Sequence, residues 1–266
     1  MVFENGLANL LVGFFIGGMH FGTFIRGVLT LGLFIVSGTL LGEGTVVVLN
    51  GPSAAGKSSI QRQVQILFEE PYLKAGIDGF FDALVPDVHT MGVEPQGKFT
   101  QEMIRSGIQS FDEEGKPVLS LEIGPIGERA IWGMHDALAA YAKHGNNLVV
   151  DYIAYEKHWL GELTQTLRPY KVYLVGITTP LEVIEEREKN RGTSPVGHAR
   201  SHYARVHVYG PEDSEVERPV LYDLEVDTTE HTPEECARLI QDYIKNHPEP
   251  KAFKVLEEQY LADLEN

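Results

Sequence analysis

With 266 residues, the chain has room for one α/β domain and some length left for extensions at either end. Its 22 Lys and Arg against 38 Asp and Glu give a formal charge of -16, which repels phosphodiester backbones and argues against a nucleic-acid partner. The lone cysteine, Cys236, excludes an internal disulfide and a multi-cysteine zinc site and reads as a small buried residue near a helix.

Residues 7–41 are mostly apolar or glycine, with Arg26 the sole formal charge among them. Leu7 to Ile25 approaches the roughly 20 residues that a bilayer-spanning helix needs, whereas Gly27 to Leu41 is shorter. A cleavable signal fits poorly, because Met1 to Asn5 carries Glu4 and no basic residue. Two readings stay open: a segment associating a cytoplasmic protein with the membrane, or an extension from an upstream start, since Thr45 onward reads as the natural beginning of a domain. The domains expected are a hydrophobic extension over 1–44, a catalytic domain over 45–247 and a C-terminal helical tail over 248–266.

Thr45-Val-Val-Val-Leu-Asn50 is a short β-branched run between glycines, as in a buried parallel strand. It runs into Gly51-Pro52-Ser53-Ala54-Ala55-Gly56-Lys57-Ser58, a match to G-x-x-x-x-G-K-[ST]. From Ser59 to Phe68, Ile60, Val64 and Leu67 fall on one helical face. Strand, loop and helix in this order predict a phosphate cradle for a nucleotide. Gly51 and Gly56 allow the tight path, and the small Ser53, Ala54 and Ala55 let phosphate reach the backbone. Lys57 neutralises phosphate charge, Ser58 offers a hydroxyl to Mg²⁺, and Ser59 continues into the helix whose N-terminus faces the anion.

Tyr72 to Ile77 reads as another strand, ending at Asp78 in Ala75-Gly-Ile-Asp-Gly-Phe-Phe-Asp82. A carboxylate there suits a general base for a hydroxyl acceptor; by spacing alone Asp78 and Asp82 both qualify, and either is also a candidate helix cap. Asp112-Glu-Glu-Gly115 suggests a hairpin turn. Glu128 to His144 has the apolar spacing of a crossover helix leading into a strand at Leu148 to Ile153, where Asp151 lies at the carboxyl edge and suits Mg²⁺; its alternative is a turn cap. Further strands are expected at Lys171 to Ile177 and Tyr222 to Val226, so that alternation with helices predicts a parallel sheet with helices on both faces. Arg187 and Arg191, four residues apart on one helix face before a glycine-bearing stretch, suit a lid over the triphosphate; paired charges on an exposed helix are the plain alternative. His198, His202 and His207 follow no recognised zinc pattern and read as packing or solvated histidines.

Together, Leu49 to Ser58, Gly76 to Leu84, Ile123-Gly-Pro125, Leu148 to Asp151, Glu186 to Gly192 and Glu225-Val-Asp-Thr-Thr229 resemble the chloramphenicol phosphotransferase family of P-loop kinases, from about Thr45 to about Ala237. The resemblance implies Asp78 as the catalytic base with Asp82 secondary, ATP with Mg²⁺, Arg187 and Arg191 in the lid, and Asp227, Thr228 and Thr229 in a loop beside the nucleotide. Tyr152 stands where the family often has an acidic residue, and Val88 to Ser120 diverges and is expected to shape the acceptor pocket. The expected partner is thus a small-molecule hydroxyl acceptor, chloramphenicol or a relative. The alternatives are a kinase for an intracellular metabolite or nucleotide sugar, and a membrane-tethered nucleotide switch, although no Asn-Lys-x-Asp guanine-reading tetrad is present. The sequence leaves the oligomeric state open.

Overall fold

A computed structural model describes residues 43–84, 102–192, 196–212 and 214–265. The hydrophobic segment 7–41 and the first part of the divergent region, through residue 101, lie outside the described residues. Among the described residues no helix is long and apolar enough to cross a membrane.

Five parallel strands form the central sheet: β1 (Thr45–Asn50), β2 (Tyr72–Gly76), β5 (Asn147–Tyr152), β6 (Lys171–Thr178) and β9 (Leu224–Asp227), in the order β2-β5-β1-β6-β9. β1 is central and buried on both faces, which is why it is a continuous apolar run. Val46 and Val48 pack with α3 (Pro125–Lys143), α4 (Trp159–Leu167) and α8 (Ala252–Leu264). Val47 and Leu49 point the other way, against α1 (Lys57–Leu67), α5 (Leu181–Arg191) and α7 (Pro233–Asn246). Helices thus cover both faces, as the alternating pattern requires. The remaining elements are the short α2 (Ile77–Leu84), the hairpin β3 (Ile104–Phe111) with β4 (Pro117–Ile123), α6 (His198–Tyr203), and the small ladder of β7 (Val208–Tyr209) with β8 (Arg218–Pro219). Asp112 closes the β3–β4 turn by accepting from the amides of Glu114 and Lys116 at 3.0 and 2.8 Å, so the predicted hairpin forms.

The C-terminal helix packs on the rest of the described chain: Phe253, Leu256 and Tyr260 recur on one face of α8 and are buried. Tyr260 packs where a side chain on Gly161 of α4 would stand 2.2 Å from its ring, so this helical glycine is needed for close approach. Arg218 closes the helix end with a two-point pair to Asp263. Cys236 is buried in α7, as its isolation suggests.

Candidate active site

In an open parallel sheet the carboxyl ends of the strands gather ligands, and the strand order decides which residues meet there. β5 lies between β1 and β2, with Asp151 in register with Leu49 on one side and Gly76 on the other. The end of β1 leads into the phosphate loop; the end of β2 leads into the first turn of α2, which carries Asp78. Asp151 therefore stands between the loop and Asp78. It lies on the sheet edge and not at a helix start, where a turn cap would sit.

The loop is tightly wound, with Gly56 at φ 97 and Ala54 at φ 61, both left-handed. Ala54, a non-glycine residue there, carries strain of the kind held at functional sites. α1 begins without a side-chain cap, and its Ser59 and Ile60 amides both donate to Gly56 O at 3.1 Å. Lys57 is 5% exposed. Its Nζ donates to the carbonyls of Gly51 and Pro52, both at 2.8 Å, and stands 3.4 Å from Asp151 Oδ1. Ser58 Oγ donates to Asp151 Oδ2 at 2.8 Å. Behind the loop Asn50 is wholly buried: its Nδ2 donates to Val206 O and the Tyr222 hydroxyl, and its Oδ1 accepts from the Ala154 amide.

A cleft of about 450 Å³ joins these groups, with Ser53, Ala54, Gly56, Lys57, Ser58 and Ser59 from the loop, Asp78 and Asp151 from the strand ends, and Arg187 and Arg191 from α5. Gly51 and Pro52 contribute backbone carbonyls that hold Lys57, while Ala55 is turned into the core. Arg187 donates through Nη1 to Thr228 Oγ1 at 2.9 Å and through Nη2 to Thr228 O at 3.0 Å, tying α5 to the loop after β9. Thr228 lines the cleft. Asp227 instead braces its own turn, accepting from the Thr229 hydroxyl and amide at 2.6 and 2.7 Å, and those bonds hold its carboxyl below the ordinary value. The backbone of Asp82 continues α2, one turn beyond Asp78. His231 also faces the cleft; the sequence reading missed it, and a histidine just before the α7 cap offers no motif to find it by. His198 and His202 are buried with rings 5.9 Å apart, and His207 Nδ1 pairs with the Tyr222 hydroxyl at 2.7 Å. Among the described residues no cluster of three or more metal-ligating side chains gathers around them.

Residues 44–245 match the family described as chloramphenicol phosphotransferase-like protein. Two curated Mycobacterium tuberculosis proteins, provisionally named O-phosphotransferases, are each 28% identical over 220 residues, 83% of this chain and 91% of theirs. Among solved structures, the APS kinase of the same organism covers 77% of this chain and 99% of its own at 16% identity, with a TM-score of 0.47. Acinetobacter baumannii shikimate kinase covers 77% and 94% at 15% identity, with a TM-score of 0.43. Likeness at that level carries nothing about the substrate of this chain. The family match is of another kind: it runs from the residue before β1 into the last turn of α7, takes in every element that lines the cleft, and places the chain in the chloramphenicol phosphotransferase-like protein family.

Proposed function

We propose that this P-loop phosphotransferase moves the γ-phosphate of ATP, with Mg²⁺, to a hydroxyl of a small molecule, with Asp78 as general base and chloramphenicol as the first acceptor to test. The observation that carries the reading is the convergence of Asp78, Asp151, Lys57 and the two lid arginines on one cleft. In phosphoryl transfer the protein positions the reactants and balances charge on the equatorial oxygens. Lys57 serves that role because backbone carbonyls hold it in place and its carboxylate contact is long, which leaves its charge for the triphosphate. Arg187, already anchored on Thr228, and Arg191 supply charge from the opposite wall. Asp78, in the first turn of α2 at the strand edge, orients the acceptor hydroxyl and takes its proton as the new P–O bond forms.

The residues present fit a hard divalent ion. Ser58 and Asp151 bring a hydroxyl and a carboxylate together at 2.8 Å, an all-oxygen pair of the kind that leaves other positions to water and phosphate. Mg²⁺, when bound there, neutralises phosphate charge.

The test is mass spectrometry of chloramphenicol incubated with the protein, ATP and Mg²⁺, beside Asp78→Asn. Phosphorylated product that falls by about 10²- to 10⁴-fold in the variant supports both reaction and base. Undiminished turnover in a folded Asp78→Asn protein removes the base, and no product with ATP still bound sends the search to other hydroxyl compounds.

A further inference from the structure

Arg191 stands in the last turn of α5 and lines the cleft, yet among the described residues no hydrogen bond or ion pair holds its guanidinium. Arg187, one turn earlier, is fixed by its two bonds to Thr228. Where Arg191 points is therefore set by what holds the end of α5 itself. Besides the buried Ile184, the polar contacts of that end lead to α6 and the hairpin: Glu188 accepts from the amides of Gly197 and Ala199, and Glu185 is held by Arg200.

Arg200 is the piece that joins all three elements. Its side chain is 14% exposed; Nε donates to Glu185 Oε1 and Nη1 to Asp112 Oδ2, both at 2.6 Å. Nη2 lies 2.5 Å from the same Glu185 oxygen without hydrogen-bond geometry, so the two carboxylates are its whole hold. Asp112 is fixed in turn, because its other oxygen, Oδ1, accepts from the Glu114 and Lys116 amides of the hairpin turn. The hairpin also lies directly against the start of α6. The Leu119 amide donates to Gly197 O at 3.0 Å, and a side chain on Gly197, at φ 113, would stand 2.9 Å from Pro117 O. A planar cation forked between two carboxylates fixes direction as well as distance, so the hairpin tip sets how α5 lies.

We propose that Arg200 is a positioning residue of the phosphotransfer site: by bridging Asp112 and Glu185 it sets the last turn of α5 so that Arg191 meets the triphosphate of the nucleotide. The inference rests on the reading of the cleft as a nucleotide site. It carries the support of the phosphate-binding groups out to the hairpin turn, whose Asp112 is no part of the cleft lining.

The experiment measures, by calorimetry on the full chain, the Kd of a non-hydrolysable ATP analogue with Mg²⁺, which needs no acceptor. Asp112→Asn is the sharpest cut, since Oδ1 keeps the turn bonds while an amide NH₂ replaces the oxygen that Arg200 holds. The expected rise in Kd is about 3- to 10-fold for Asp112→Asn and about 10- to 100-fold for Arg191→Met. Adding Asp112→Asn to Arg191→Met raises Kd by less than about twofold, because no guanidinium is left to position. Arg200→Lys keeps the charge but cannot fork to both carboxylates, so it follows Asp112→Asn; should Asp112→Asn fail to fold, the same cycle is read in Arg200→Lys. Equal fold-losses with and without Arg191 show a bridge that only supports the fold and overturn the proposal, as does a folded Asp112→Asn chain that binds like the native one. A native chain that does not bind the analogue removes the nucleotide reading and this inference with it, and is told apart because the failure is then in the native chain itself.

Discussion

Glu188→Gln is the substitution that best tests how α5 holds α6. Glu188 lies on α5 between the two cleft-facing arginines, is 2% exposed, and accepts from the amides of Gly197 and Ala199, each at 2.8 Å. It thereby caps α6 from another helix, a job no side chain at the helix start performs. Glutamine keeps the shape and one acceptor oxygen but turns an amide NH₂ toward the second backbone N–H. One charge-assisted bond worth about 1.5–3 kcal/mol is lost and a buried donor is left facing a donor, for a total of about 2–4 kcal/mol. Since the two bonds join α5 to α6, the loss appears first as local opening, and amide exchange at Gly197 and Ala199 speeds up by about 30- to 1,000-fold while the exchange of β1 stays as it was. Hydrogen-exchange mass spectrometry over residues 196–204 reads this directly, and a fall in phosphoryl-transfer kcat follows if α6 positions the lid arginines. Exchange unchanged within about threefold would refute the reasoning, since the carboxylate would then hold nothing that an amide cannot.

Three further outcomes are expected. His135 is 1% exposed, and burial pushes its pKa down from 6.5 to about 3, so the folded chain resists a proton that the unfolded chain accepts. The stability tied to it is fully present above pH 6.5 and falls as pH drops below that value, by about 2–3 kcal/mol at pH 4.5; urea midpoints at pH 7 and 4.5 should converge in His135→Gln relative to the native chain. Leu256→Ala, which empties a site 1% exposed between α8 and the sheet, should cost about 2–5 kcal/mol by denaturant unfolding, whereas an α8 that were a loose tail would lose almost nothing. Arg187→Lys cannot reproduce the two-point grip on Thr228, and the KM for ATP should rise about tenfold with the fold intact by circular dichroism.

The parts of the fold that the sequence made legible are those set by local pattern. Four successive residues of β1, Val46 to Leu49, are wholly buried, and an apolar run between glycines announces that. Element ends are less legible. α3 starts at Pro125, three residues before the expected Glu128, because a proline at the first helical position needs no amide partner. β9 starts at Leu224 and not at Tyr222, since Tyr222 and Asp223 are drawn into other contacts: Tyr222 to Asn50 and His207, Asp223 to the amides of Leu174, Lys251 and Ala252. The packing of α8 is no more legible from local pattern. Its partners, Asp223 and Gly161, are distant in the chain, and nothing in the helix itself names them.

The cleft divides in the same way. Its phosphate half is written in eight consecutive residues whose types are dictated by backbone path and charge, so a motif finds it. Its other half is assembled from side chains that are bland alone: Ile153 after β5, Thr228 and His231 around the turn after β9, and Arg187 and Arg191 on α5; beside it, Arg200 joins Glu185 on α5 to Asp112 at the tip of the hairpin. Arg200 makes the hairpin and α5 neighbours through carboxylates 15 and 88 positions away, and no periodicity reports such a link. The chemistry of the reaction is therefore readable from short motifs, because every nucleotide presents the same phosphates. The choice of acceptor is not, because it depends on which of these separate pieces the tertiary fold brings to the edge of β5.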